Sequence, residues 1–244
     1  MTDHAFDVCV IGAGSAGLSV AAGCAQLGLA TALIEQGAMG GECLNTGCVP
    51  SKALLAAAKR VHAAAAPKMA GLGDGDPTID FGGVKDGIQN VIDRIAPYDS
   101  AARFEGMGVT VLRGTARFEN ARTLTLGTGR VRSRWIVLAT GSRPTIPSIP
   151  GLNADTILTN ETIFRLRHKP DHLLILGGGP IGVEMAFAHR RLGVPVTSSS
   201  AARSCHATSP NSSGSYARRC TTPTSRFANT PRSSARRMAR VRWR

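Results

Sequence analysis

The feature that most constrains the fold of this chain is a glycine cluster between a short apolar run and a helical pattern. The cluster, Gly12-Ala13-Gly14-Ser15-Ala16-Gly17, follows the β-rich run Phe6 to Ile11 and opens the helical apolar spacing of Ser15 to Leu27. Thr31 to Ile34 has the composition of a second strand. The pattern therefore predicts a strand–turn–helix–strand unit of an α/β fold.

Each glycine of this cluster has its own physical role in a dinucleotide site. Gly12 permits a tight turn, Gly14 lets the backbone approach a pyrophosphate, and Gly17 lets the helix and the strand pack closely. The helix N-terminus, at Ser15 and Ala16, offers N–H donors to the phosphates. These residues are candidates for binding a dinucleotide cofactor.

An acid stands where such a site needs one. Glu35 closes the second strand, 18 residues after Gly17, where a carboxylate can bond to ribose hydroxyls. A glycine cluster alone also fits an ordinary tight turn. Its register with two strands and with the acid favours dinucleotide binding.

A second unit of the same kind begins late in the chain. The strand-like run Leu173 to Leu176 leads into Gly177-Gly178-Gly179-Pro180-Ile181-Gly182, which opens another helical pattern. Arg143 to Gly151 contains three prolines and is predicted to be a linker between the two units. Between them the composition predicts two helical regions and four short strands: Val49 to Ala66, Phe81 to Phe104, Val109 to Leu112, Ala116 to Phe118, Thr123 to Leu126 and Trp135 to Leu138.

The net charge of +13 is distributed unevenly over the 244 residues. Residues 1–184 contain 17 Lys and Arg and all 16 Asp and Glu, whereas residues 185–244 contain 12 arginines and no acid. The chain is therefore a near-neutral globule with a basic tail, and we expect no nucleic-acid partner. No leader or membrane-spanning segment is recognisable, so a cytoplasmic location without membrane attachment is expected.

From Ser198 onward the chain is rich in Ser, Arg, Thr and Pro and has almost no apolar periodicity. Two interpretations remain open: a disordered basic extension, or a coding sequence translated in the wrong frame. Back-translation with a shift of one base yields balanced charge and a helical apolar pattern from Cys205 onward, which favours the frame change. We therefore predict that residues 198–244 are a frameshifted, disordered tail.

The sharpest chemical signal is the run from Gly40 to Lys52, which contains Gly41, Cys43 and Cys48. The two cysteines could be buried thiols or half of a metal site, but no second Cys/His pair with ligand spacing accompanies them, and no metal site is expected. A redox disulfide fits better, because Cys48 stands where a helix begins and the helix N-terminus stabilises a thiolate. Cys9 and Cys24, inside the first strand and helix, are interpreted as small core residues.

This cysteine motif closely resembles the active-site signature of class I pyridine nucleotide:disulfide oxidoreductases, the family of dihydrolipoamide dehydrogenase, glutathione reductase and mercuric reductase. The resemblance implies that the first glycine cluster binds FAD. It makes Cys48 the flavin-proximal sulfur, Cys43 the interchange sulfur that meets substrate, and Lys52 the lysine near the flavin.

Further matches run to residue 197. Ala139-Thr140-Gly141 resembles the second FAD-contacting signature, and the second glycine cluster resembles the NAD(P)H fingerprint, with Gly177, Gly179, Ile181 and Gly182 as its binding positions. Glu184 stands where the family places a glutamate that pairs with the active-site lysine, here Lys52. A helix-face acid that complements the N-terminal dipole is the alternative interpretation of Glu184.

The resemblance implies an α/β architecture with a Rossmann-type FAD-binding domain at 1–150, the start of a Rossmann-type NAD(P)-binding domain at 151–197 and the tail at 198–244. It implies electron flow from NAD(P)H through FAD to the disulfide, and on to a small-molecule disulfide or a metal ion. Family members form homodimers through a C-terminal interface domain, for which this sequence shows no counterpart. We therefore expect the chain to be truncated, without dimerisation or turnover. Two other hypotheses remain: an inactive flavin-binding remnant, and a nucleic-acid-binding module with a basic tail.

Overall fold

The computed structural model describes residues 3–64, 78–127, 129–153 and 156–199. The described residues up to Leu54 and from Asp80 to Arg167 form one compact unit. Those from Leu55 to Ile79 and from His168 onward form a second. The first unit extends 17 residues beyond the predicted seam at residue 150, and the domain boundaries themselves stay predictions.

The first unit is built on a six-stranded sheet with the order β3-β2-β1-β6-β5-β4. Its strands are β1 (Asp3–Ile11), β2 (Thr31–Glu35), β3 (Val109–Arg113), β4 (Ala116–Asn120), β5 (Thr123–Leu126) and β6 (Gly129–Leu138). The four adjacent strands β3, β2, β1 and β6 run parallel to one another. β5 pairs antiparallel with β6, and β4 pairs antiparallel with β5. The predicted Rossmann-type α/β class is confirmed, because β1 lies at the centre of the sheet, between β2 and β6.

Helices connect these strands and carry the candidate site. They are α1 (Ser15–Gln26), α2 (Gly41–Asn45), α3 (Cys48–Ala64), α4 (Phe81–Ile95) and α5 (Ala101–Gly106). The core lies between α1 and the sheet, where Val10, Leu18 and Leu33 are buried beside Phe104. Cys9 is fully buried in a second cluster on the sheet and Cys24 is half-buried, as expected of small core residues.

The helical region predicted from Phe81 to Phe104 is interrupted. A 3-10 turn, Ala96–Asp99, separates α4 from α5. Pro97 has no N–H to continue the α-helical hydrogen bonds. Ser100 then caps α5, because its hydroxyl accepts from the Arg103 N–H at 3.3 Å.

The structure also differs from the predicted secondary structure at one helix and at one strand. Gly41 to Asn45 forms a short helix that the composition did not indicate. Strand β6 begins six residues before the predicted Trp135, because its first half pairs with β5 as well as with β1.

The second unit contains β7 (Leu173–Leu176), α6 (Pro180–Arg191) and β8 (Val196–Ser199). β7 and β8 pair in parallel, with Leu173 opposite Val196 and Leu176 opposite Ser199. This is the strand–turn–helix–strand unit predicted from the second glycine cluster. β8 includes Ser198 and Ser199, the first two residues of the predicted tail. The rest of the tail lies outside the described residues, and its assignment stays a prediction.

Within the described ranges, none of the helices is both long enough and apolar enough to traverse a lipid bilayer.

Candidate functional site

The turn after β1 has a geometry that only glycine satisfies at two positions. Gly12 has φ +105°, and a Cβ atom there would lie 2.2 Å from the carbonyl oxygen of Ala139. A Cβ atom on Gly17 would lie 1.8 Å from the carbonyl oxygen of Gly12. Both side-chain positions are occupied by backbone, so the start of α1 lies directly against the turn.

Gly14 differs from these two, because the space beside it is open. An added Cβ atom would meet only Gly41 Cα, at 3.9 Å. Gly14 also has extended backbone angles, φ −80° and ψ −177°, and precedes the first residue of α1. An anion can therefore approach the backbone and the free N–H groups at the start of α1.

The cysteine segment packs on this same turn. The N–H of Gly40 donates to the carbonyl of Ala13 at 2.9 Å. Gly41 has φ +56°, and a Cβ atom there would lie 2.6 Å from Gly14 Cα. The predicted cofactor residue Gly41 is thus in contact with the first glycine cluster, although the two segments are far apart in the sequence.

Glu35 braces the turn from the end of β2. Its carboxylate accepts the N–H of Ala13 at 2.6 Å through one oxygen and the N–H of Gly37 at 2.6 Å through the other. This structural role was not foreseen from the sequence. Each carboxylate oxygen retains a lone pair, so the predicted bond to ribose hydroxyls is chemically compatible and stays a prediction.

A cavity of about 140 Å³ opens beside Glu35, at the carboxyl ends of β1 and β2. The carboxyl ends of parallel strands are where ligands of open α/β sheets bind. Thr140 lines this cavity, and the N–H of Ala139 donates to the carbonyl of Ile11, at the end of β1, at 2.8 Å. The predicted contact of Ala139 and Thr140 with the cofactor stays a prediction. Gly141 follows with φ +69°.

Six residues that line this cavity were not predicted as site residues: Ile11, Ile34, Gln36, Gly114, Thr115 and Ala116. Gly114 donates its N–H to the carbonyl of Glu35 at 3.0 Å, and the Thr115 hydroxyl lies 3.2 Å from Oε1 of Gln36. The position of Gly114 could have indicated these residues, because Gly114 directly follows β3, and β3 is the strand beside β2.

Cys43 and Cys48 are brought together by α2 and α3. Cys43 lies within α2, not on a loop, and Cys48 is the first residue of α3. Both are thiols in this structure; Cys43 is half-buried and Cys48 is exposed.

The two thiols interact directly. A side-chain hydrogen bond to Cys48 raises the pKa of Cys43, with smaller contributions in the same direction from burial and from the negative charges of Cys48 and Asp99. A hydrogen bond from the backbone N–H of Cys48 opposes this shift. The N–H of Cys48, at the start of α3, thus favours the thiolate of Cys43; the expected stabilisation of the Cys48 thiolate stays a prediction. This hydrogen bond places the two thiols side by side, and their predicted pairing as a redox disulfide stays a prediction.

Lys52 and Glu184 lie on two different helices. Lys52 is an exposed residue of α3, four positions after Cys48, and Glu184 is a half-buried residue of α6. They belong to different compact units. Their predicted pairing stays a prediction.

The second glycine cluster repeats the backbone geometry of the first. Gly177 has φ +115°, and a Cβ atom on Gly182 would lie 2.6 Å from the Gly177 carbonyl oxygen. Gly179 precedes α6 with φ −73° and ψ 174°, close to the angles of Gly14. Ile181 is exposed at the start of α6. The second turn therefore has a backbone geometry comparable to that of the first, and its predicted binding of a phosphate stays a prediction.

Comparison with known proteins agrees with this arrangement. The family model described as "Pyridine nucleotide-disulphide oxidoreductase" matches residues 6–219. This chain belongs to that family. The match extends 22 residues past Thr197, where the sequence resemblance was expected to end. Members of the family use FAD and NAD(P)H and are typically homodimers that act on small-molecule substrates.

Relatives within the oxidoreductase family include two kinds of enzyme. Mercuric reductase from Streptomyces lividans is 38% identical over 201 residues, which are 79% of this chain and 42% of that protein. Dihydrolipoyl dehydrogenase from Haemophilus influenzae is 37% identical over 197 residues, 78% of this chain and 41% of the relative. The chain thus spans about two fifths of the length of these curated relatives.

Solved structures of the family resemble the fold as well. The HOCl-induced flavoprotein disulfide reductase RclA from Escherichia coli matches with a TM-score of 0.67 and 29% identity, over 79% of this chain and 41% of that one. A Cu(II) complex of the same protein matches with the same TM-score and coverage.

The residues of the first unit fit the dinucleotide that the family uses. The backbone is open beside Gly14, and Gly12, two residues earlier, lines the cavity beside Glu35, so the turn has room for a pyrophosphate next to that cavity. Gly41, which contacts Gly14, begins the helix that carries Cys43. The fit therefore rests on the shape of the backbone as well as on the family match.

Proposed function

We propose that this chain is the flavin-binding, disulfide-carrying part of an oxidoreductase that moves electrons from NAD(P)H through FAD to Cys43 and Cys48. The final acceptor that we propose is a disulfide of a small molecule or a metal ion, as in the dihydrolipoyl dehydrogenase and mercuric reductase branches. The single observation that carries the proposal is the contact between the two halves of the site: Gly41, two residues before Cys43, packs on Gly14.

In this proposal the chain's own residues have separate tasks. The turn from Gly12 to Gly17 binds the pyrophosphate through backbone N–H groups, and Glu35 holds that turn while facing the adenosine. FAD, when bound, supplies a two-electron carrier between the nicotinamide and the disulfide. The turn from Gly177 to Gly182 binds the pyrophosphate of NAD(P)H. Lys52 and Glu184 are proposed to act as a pair beside the flavin.

The sulfurs divide the redox chemistry between them. Reduction of the Cys43–Cys48 disulfide by two electrons and two protons gives two thiols. The thiolate of one then attacks a substrate disulfide, and the other resolves the mixed disulfide, which reforms the internal bond and releases the reduced substrate. We assign attack to Cys43 and the flavin-proximal role to Cys48. Homodimerisation is proposed for the whole protein.

Flavin binding by the chain tests the first half of this proposal. A Gly41→Ala variant would place a Cβ atom 2.6 Å from Gly14 Cα at a φ of +56°, and should weaken FAD binding at least tenfold in a fluorescence titration. Gly87→Ala is the matched control, because Gly87 lies on α4 with no atom within 4 Å of the added Cβ.

Equal affinity in both variants would contradict the proposed pyrophosphate site. Absence of FAD binding by the unaltered chain at millimolar flavin would contradict the proposal that this chain holds the cofactor. Salt-sensitive DNA binding, with no flavin bound, would support the basic-tail alternative instead.

A further inference from the structure

Helix α2, which carries Cys43, is too short to hold its own orientation. It has five residues, Gly41–Asn45, and isolated helices of this length are not stable in water. Its direction must therefore come from its attachments. Leu44 is one of them, because it is 3% exposed and anchors the helix on the side that faces the core.

The second attachment of α2 comes from a residue that is distant in the sequence. The Asn160 side-chain amide donates to Glu42 Oε1 at 2.8 Å, and the two residues are 118 positions apart. Successive side chains on a helix point about 100° apart. Glu42 and Leu44 therefore flank Cys43 on the helix circumference, and fixing both of them fixes the direction of the Cys43 side chain.

Asn160 itself lies in a turn that local hydrogen bonds hold together. The hydroxyls of Thr159 and Thr162 accept the backbone N–H groups of Glu161 and Thr159, at 3.2 and 2.9 Å. These local bonds fold the segment into a turn, which a 3-10 turn, Ile163–Arg165, continues. The amide of Asn160 is thus presented from a preformed turn and not from an extended strand of chain.

The same segment, residues 156–167, is fastened to α4. The buried Lys85 amine donates to the carbonyl of Ile163 at 3.3 Å, and Ile163 is itself buried. Arg167 forms an ion pair with Asp86 through two hydrogen bonds. Because α4 also contacts α2, the segment and the redox helix are parts of one packed layer.

We propose that Asn160 is a positioning residue for the redox pair: by holding Glu42, it sets the rotation of α2 and thereby keeps the Cys43 sulfur within reach of Cys48. This inference rests on the proposed redox function of the two cysteines. It adds a residue outside the cysteine motif and outside the cofactor signatures.

The test measures how readily Cys43 and Cys48 form a disulfide in the full chain. The protein is equilibrated with mixtures of reduced and oxidised glutathione, quenched in acid, alkylated and digested, and the Cys43–Cys48 peptide is quantified by mass spectrometry. Each disulfide formed transfers two electrons and two protons from the thiols to one oxidised glutathione, giving two reduced glutathione molecules.

Asn160→Ala should lower the equilibrium constant for this disulfide by about threefold to fivefold, the upper part of the range for losing one exposed hydrogen bond to a charged acceptor. Asn90→Ala is the matched control, since Asn90 is an exposed asparagine on α4, and it should leave the constant unchanged. Circular dichroism on all variants separates a change in redox equilibrium from loss of fold.

A double-mutant cycle tests whether the effect passes through Glu42. If it does, Asn160→Ala combined with Glu42→Ala lowers the constant no further than the larger single change. A constant for Asn160→Ala within twofold of the unaltered chain, or strict additivity of the two changes, overturns the inference. If the unaltered chain forms no Cys43–Cys48 disulfide, the proposed function is overturned and this inference with it. The unaltered chain alone gives that result, so it is distinguishable from a failure of the role of Asn160.

Discussion

Replacing Gly17 with alanine tests the close approach of α1 to the turn after β1. The added Cβ atom would lie 1.8 Å from the carbonyl oxygen of Gly12 and 3.3 Å from Cβ of Ala139. A real Cβ atom does not come within about 3.0 Å of a backbone oxygen, so α1 or the turn must move by about 1 Å. Neither partner is the flexible end of a side chain, so the overlap cannot be relieved by a rotamer change.

Two opposing contributions determine how much Gly17→Ala changes the free energy of unfolding. Alanine in place of glycine inside a helix stabilises by about 0.5–1 kcal/mol, because the unfolded chain loses conformational freedom. Forcing extra volume into a packed site costs about 1–3 kcal/mol, and more where backbone must shift. Because backbone must shift here, the cost lies in the upper part of this range, and after subtraction of the gain we expect Gly17→Ala to lower the free energy of unfolding by about 1–2.5 kcal/mol.

Gly23→Ala is the matched control for this change. Gly23 lies in the same helix, α1, and an added Cβ atom there would meet no atom within 4 Å. This variant should therefore gain about 0.5–1 kcal/mol from helix propensity alone. Urea denaturation followed by circular dichroism measures both free energies. If the two variants shift in the same direction, the steric argument is wrong and the glycine at position 17 has another role.

Two other predictions concern titratable groups. Burial lowers the pKa of Lys85 to about 8, below its ordinary value of 10.5. Between these pH values the unfolded chain binds more protons, so stability relative to a Lys85→Met variant should rise by up to about 3 kcal/mol from pH 8 to 10.5; a flat difference in urea denaturation would contradict this. Because the side-chain hydrogen bond to Cys48 is the largest cause of the raised Cys43 pKa, Cys48→Ala should lower that pKa. The pH dependence of Cys43 alkylation by iodoacetamide measures it, and an unchanged or higher midpoint would refute the direction.

The parts of the fold that the sequence predicted are those dictated by local patterns. Thr31 to Glu35 is an uninterrupted β-rich run that becomes a strand buried at four of its five positions. The glycine cluster opens α1 because its spacing is a property of one short segment. Family membership was predicted on similar grounds, since the cysteine motif is contiguous.

The parts that were missed depend on contacts between distant segments. The five residues of α2 have no helical signal of their own, and the helix is held by Leu44 and by Asn160, which is 118 residues from its partner. The break after Ile95 could have been predicted, because Pro97 was visible in the sequence. The bond from Glu42 to Asn160 could not, because no periodicity relates the two positions.

The last glycine of each of the two glycine turns has a structural role that does not depend on a ligand. In both, an added Cβ atom at the sixth position would strike the carbonyl oxygen of the first, at 1.8 Å for Gly17 and 2.6 Å for Gly182. These glycines are therefore required by the packing of helix on strand, whether or not a ligand binds. The first turn is distinguished as a candidate cofactor site by its neighbours. The carboxylate of Glu35 accepts the N–H of Ala13, and Gly41 packs against Gly14. The ligand is thus inferred from residues outside the glycine pattern. For the same reason, substitution at Gly41 tests flavin binding more directly than substitution at Gly17, which tests the fold.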